Sequence, residues 1–98
     1  MAKAYWINTS RVVRDPERLK QYAALAGPVI RAAGGRFLAR GKPAAAFESG
    51  TSTLTVLIEF PSVEAAVAVY HSPGYQEALA ALGDAAERDI RIVEAIEA

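Results

Sequence analysis

Few side chains in this sequence are suited to chemistry. His71 is the single histidine, and cysteine is absent. His71 stands between Tyr70 and Ser72, where a helix restarts. It is suited to act as a general base near neutral pH or as a haem ligand; the plainer alternative is a solvated loop histidine. Trp6 and Asn8 share one face of a strand, so an indole N–H and a carboxamide reach the same space. Arg36, Arg40 and Glu59 put charge into otherwise apolar strands, which is costly unless each is paired or hydrated. Two readings follow for them. Either Arg40 and Glu59 line a polar pocket for a small anionic or carbonyl-bearing ligand, or they join an interstrand or intersubunit ion pair. Tyr70 and Tyr75 flank Ser72-Pro73, and either hold hydroxyls at a cleft mouth or staple two helical pieces together. The candidate ligand-binding set is Trp6, Asn8, Arg40, Glu59, His71 and Tyr75, with His71 as the candidate for catalysis.

What the composition excludes narrows this further. Without Cys there are no disulfides, thiolate zinc sites, iron–sulfur clusters or thiol nucleophiles. One His among carboxylates that lack ligand spacing argues against a metal site. Gly34-Gly35 opens no phosphate loop, so a nucleotide has no support, and no Gly-x-Ser-x-Gly elbow occurs, so a hydrolase of that type has none either; no cofactor is expected. Eleven basic residues balance eleven acidic ones and the pI is near 6.6, which argues against nucleic acid as a partner. No apolar stretch approaches the roughly 18–20 residues of a membrane span, and no signal-peptide pattern opens the chain, so a cytoplasmic location is expected.

The elements that must position these residues fit one domain over residues 1–98. Residues 3–13 read as a strand with apolar groups on both parities, hence a central one. Asp15-Pro16-Glu17 starts a helix, with Asp15 as cap and Pro16 at the first position. Its apolar face, Leu19 to Ala33, continues past Gly27-Pro28, so a kink is expected rather than a break. Gly34-Gly35 ends it, one glycine turning left-handed. Residues 36–40 form a short strand and 44–48 a possible edge segment. Residues 53–60 form the strongest strand. Ser62 caps a second helix reaching Tyr70, Ser72-Pro73 restarts it, and Gly83 closes it. Residues 89–96 form the last strand.

The order is that of a ferredoxin-like βαββαβ domain, α+β, with an antiparallel sheet and its helices on one face. The chain has 21 alanines and few large apolar side chains, and two helical segments cover one sheet face only. The other face calls for a second copy, so a homodimer is expected.

Several phrases, AYWI at 4–7, the Asp15-Pro16 helix start, GGRFLARG at 34–41, IEFPS at 58–62, EAA at 64–66 and YHSPGYQEA at 70–78, together resemble the bacterial family called domain of unknown function 1330. The resemblance spans nearly the whole chain. It implies a dimeric α+β barrel in which two ferredoxin-like protomers pair their sheets, and it implies no established activity. Gly74 departs from the Glu more often expected there. The broader barrel group includes small monooxygenases and haem-degrading enzymes, some of which use an Asn, a Trp and a His around a substrate pocket. Trp6, Asn8 and His71 loosely imitate that trio. The functional expectation is a pocket between sheet and helices binding a small hydrophobic or carbonyl-bearing ligand. The alternatives are a non-catalytic structural or regulatory homodimer, and a cofactor-independent monooxygenase-like or isomerase-like enzyme.

Overall fold

The computed structural model describes residues 2–96. Seven elements follow one another: β1 (Ala4–Val13), α1 (Pro16–Ala32), β2 (Arg36–Gly41), β3 (Thr55–Phe60), α2 (Val63–His71), α3 (Pro73–Leu82) and β4 (Ala86–Glu94). The four strands form one sheet in the order β2-β3-β1-β4, every neighbouring pair antiparallel. That topology, with all helices on one side, is ferredoxin-like.

The helix starts obey local chemistry. The Asp15 carboxylate accepts from the amides of Glu17 and Arg18, at 3.1 and 3.2 Å. The Ser62 hydroxyl accepts from the Ala65 amide at 3.1 Å. Ser72 caps α3 by accepting from the Tyr75 amide, and it donates back to the Val69 carbonyl at 2.7 Å, so one residue ends α2 and opens α3. Pro28 lies inside α1 without ending it. Gly34 takes the positive φ of 93° that releases the chain from α1. At Gly35 the reason for glycine is space: a Cβ would sit 2.5 Å from Ile30 Cγ2 and 3.0 Å from the Phe60 ring.

The helices pack on the face formed by Ala4, Trp6, Asn8 and Ser10 of β1 with Val56, Ile58 and Phe60 of β3, all buried. From the helices, Tyr22, Ala26, Ile30, Ala66, Val69, Tyr75, Ala78 and Leu82 close the core. The result is a slab, 38 × 35 × 16 Å, one sheet thick and one helical layer thick.

The opposite face of the sheet carries no helix. Tyr5 and Ile7 of β1, Leu57 of β3 and Val93 of β4 lie there, partly or half exposed. Residues 43–51 rise beside it without joining the sheet, and Phe47 in this segment is 79 % exposed. The extra edge strand expected over 44–48 does not form: this segment pairs with no strand and lies against the open face beside Ile7, Thr9 and Arg91. The last strand also differs from expectation. It begins at Ala86 and stops at Glu94, leaving Ile96 98 % exposed. Its early start follows from β1, which stays extended to Val13 and pairs with Ala86 past an irregularity between Ser10 and Val12.

β2 holds a second irregularity. Arg36 faces Glu59 and Phe37 faces Ile58, but Ala39 then faces Leu57 and Arg40 faces Val56. One extra residue, Leu38, is accommodated as a β-bulge, and every later side chain of β2 changes face.

Candidate functional site

A cavity of about 290 Å³ opens between the sheet and α1. Its floor is the helix-side face of β1 and β3, with Trp6, Asn8, Ser10, Val56 and Ile58. α1 supplies its roof through Leu19, Tyr22, Ala23, Ala26 and Gly27, and β2 closes one side with Phe37 and Arg40. The walls are mainly apolar, with a few polar groups set among them, the usual make-up of a small-molecule site.

Two of those polar groups are unusual. Trp6 Nε1 and Asn8 Oδ1 are both buried and both lack a hydrogen-bond partner among the described residues. A buried polar atom left unpaired costs about 1–3 kcal/mol. The two sit on neighbouring positions of one strand face, one a donor and the other an acceptor.

Behind this floor lies an aromatic cluster. The Trp6 ring meets Tyr75 edge-on at 5.4 Å, Phe60 at 5.9 Å and Tyr70 at 6.1 Å. The hydroxyls of Tyr22 and Tyr75 are 2.6 Å apart, and Tyr75 is wholly buried. Burial, reinforced by the Tyr22 phenol, pushes the Tyr75 hydroxyl far above its ordinary range, so it is a fixed neutral group at any ordinary pH. The Arg88 guanidinium lies 4.4 Å from the centre of the Tyr22 ring. Burial works against its charge, but the two phenols beside it more than offset that, and it stays above the ordinary arginine value. Its Nη1 is buried without a partner among the described residues.

The six residues singled out from the sequence separate into three groups. Trp6, Asn8 and Arg40 line the cavity together. Tyr75 stands one layer behind, against Trp6 and Tyr22. Glu59 and His71 lie elsewhere. Glu59 is on the open face of the sheet, paired with Lys3 at 2.8 Å, so it neither shares a pocket nor pairs with Arg40. The bulge at Leu38 is the cause: without it Arg40 would face Thr55 on Glu59's side of the sheet. His71 is exposed at the end of α2, its ring edge-on to Tyr70 at 5.5 Å. Among the described residues no group of three His, Cys, Asp or Glu could hold a metal ion.

A family model, Domain of unknown function (DUF1330), matches residues 3–96. The chain belongs to that family. Curated proteins offer no sequence match to this DUF1330 chain. Solved structures do resemble it in fold. The RPA0582 protein of unknown function from Rhodopseudomonas palustris is 19% identical with a TM-score of 0.79, over 99% of this chain and 85% of that one. A dimeric ferredoxin-like protein of unknown function from Jannaschia sp. CCS1 is 13% identical with a TM-score of 0.73, over 95% and 99%. SnoaB, a cofactor-independent oxygenase from Streptomyces nogalater, is 15% identical with a TM-score of 0.68, over 100% and 97%.

The residue pattern did not mark Tyr22, Phe37, Arg31 and Arg88 as members of the candidate site and its surroundings in this DUF1330 chain. Tyr22 carried a signal, because it is the one hydroxyl-bearing side chain within the apolar stripe of α1. Arg88 carried none, since only the early start of β4 turns it toward the helices, opposite Ser10.

Proposed function

We propose that this protein binds a small, mainly apolar molecule bearing a hydroxyl or carbonyl oxygen, in the cavity between the sheet and α1. One observation carries the reading: Trp6 and Asn8 line the cavity, and their Nε1 and Oδ1, a buried donor and a buried acceptor, have no partner among the described residues. A hydroxyl or enol group accepts from the first and donates to the second, and the apolar walls take the rest of the molecule. The volume of about 290 Å³ suits one or two rings. Trp6 is the only tryptophan, so its fluorescence reports on the cavity floor directly. Naphthol is expected to change that fluorescence saturably, and Asn8→Ala to weaken its binding about tenfold, equivalent to about 1.4 kcal/mol. No saturable change for naphthol or related phenols and ketones would overturn the binding reading and favour a purely structural module.

A second reading comes from the fold likeness to SnoaB. The same cavity would hold an electron-rich phenol or enol for direct reaction with dioxygen, without a bound cofactor. Protein-dependent oxygen uptake in the same titration separates this reading from simple binding.

We further propose that the working form is a homodimer built on the open sheet face. The single chain exposes 6160 Å², whereas a monomer of 10.4 kDa is expected to expose about 5,400 Å². The excess belongs to a slab with one bare apolar face, and dimeric ferredoxin-like proteins are among the fold neighbours. Light scattering at micromolar concentration should give twice the chain mass, and Leu57→Arg should return it to the monomer value. A folded wild-type monomer at that concentration would refute the dimer.

A further inference from the structure

Acidic and basic residues balance in this chain, but they are unevenly engaged. Arg11 and Arg91 share Asp89, Arg14 meets Glu87, and Arg18 meets Asp84. The other four arginines, Arg31, Arg36, Arg40 and Arg88, have no carboxylate within pairing distance among the described residues. Three of these four surround the cavity. Arg31 and Arg40 line it, and Arg88 lies behind its wall, against Tyr22. Lys20 also lines it, loosely shared with Glu17 at 3.5 Å. No acidic side chain is among the lining residues.

Arg31 is exposed but has contacts that hold its guanidinium beside the cavity. Its guanidinium stacks 5.0 Å from the centre of the Phe37 ring. It also lies back along its own helix over Gly27, where a Cβ would come within 3.2 Å of its Nη1. Phe37 and Gly27 are themselves cavity walls. The missing side chain at Gly27 thus leaves room for a cation over the mouth. Arg40 reaches the same cavity because the Leu38 bulge turns it there.

We infer that the cavity selects acids: its ligand is a flat apolar molecule whose carboxylate is held at the mouth by Arg31 and Arg40. This inference rests on the small-molecule reading of the cavity. A guanidinium matches a carboxylate with two parallel N–H···O bonds, and two arginines without internal partners are free to make them. Because the mouth is solvated, the attraction is screened by salt and acts mainly as a selector between charged and neutral ligands.

The test compares a hydroxynaphthoate with the corresponding neutral amide by calorimetric titration at low salt. The acid should bind at least tenfold more tightly than the amide, and raising the salt should narrow the gap. In the double variant Arg31→Gln with Arg40→Gln the acid should bind no better than the amide. Both substitutions are at exposed positions, and thermal melts of the double variant should match the wild type. Equal binding of acid and amide by the wild type would overturn the inference and leave the binding reading standing. A preference for the acid that survives in the double variant would overturn it too. Failure of both compounds to bind would count against the cavity reading itself.

Discussion

Replacing Trp6 with alanine should destabilise the fold by about 3–5 kcal/mol. The indole is wholly buried and is the hub on which Phe60, Tyr70 and Tyr75 meet. Alanine would leave a hole bounded by rings that cannot collapse into it, since each is tied to a different element. A domain of this size has about 5–15 kcal/mol in total, so the loss is a large part of it. The midpoint of urea unfolding should fall by about 2–3 M for an m-value of about 1.5 kcal/mol/M. Trp6→Phe should cost only about 1–2 kcal/mol, because a ring remains and the unpartnered N–H disappears with the indole. A loss below about 1 kcal/mol for the alanine variant would show that the cluster does not hold the sheet to α2 and α3.

The second large effect concerns alkaline stability. Burial and the Tyr22 phenol raise the Tyr75 hydroxyl far above the ordinary value, while in the unfolded chain it ionises near pH 10. Folding therefore favours the protonated phenol. The resulting stability is fully present below about pH 10. It is lost as pH rises beyond that, by up to about 1.4 kcal/mol per pH unit. Tyr75→Phe removes the titrating group. At neutral pH the variant should be less stable by about 1–3 kcal/mol, because the Tyr22 hydroxyl loses its partner at 2.6 Å. Above pH 10 the wild type should fall faster, and the two curves should converge. Urea unfolding of both proteins from about pH 8 to about pH 11 checks this. Parallel curves would mean that Tyr75 ionises in the fold as readily as in the unfolded chain.

Features decided by neighbours along the chain were readable without the structure. Asp15, Ser62 and Ser72 all cap where expected, since a cap depends on the three residues that follow it. The ferredoxin-like fold also followed, from the order of helices and strands along the chain. Features decided across the sheet were not readable. Ala86, Glu87 and Arg88 have weak strand character, and they are extended because β1 continues to Val13 and offers them a partner. The face on which Arg40 lies depends on one extra residue at Leu38, and no local pattern marks that bulge. The site was legible to the same extent. Trp6 and Asn8 share a face by simple alternation, and the structure unites them at the cavity. Glu59 keeps the open face that alternation in β3 gives it, Arg40 is the residue whose face the bulge reverses, and His71 lies at a helix end that turns it outward.

The bulge in β2 bears on more than Arg40. β2 and β4 are the two outer strands, and each exposes a row of backbone groups that another chain could continue into a growing sheet. In β2 the extra residue breaks the even spacing of those groups, and the flanking Arg36 and Arg40 would set like charges against each other in a stacked copy. In β4, the charged side chains of Glu87, Asp89, Arg91 and Glu94 must be desolvated before another chain can pair along the edge. Lateral polymerisation into a fibril is therefore disfavoured at both ends of the sheet. Of the ways to cover the open apolar face, that leaves face-to-face association, the arrangement of the proposed homodimer.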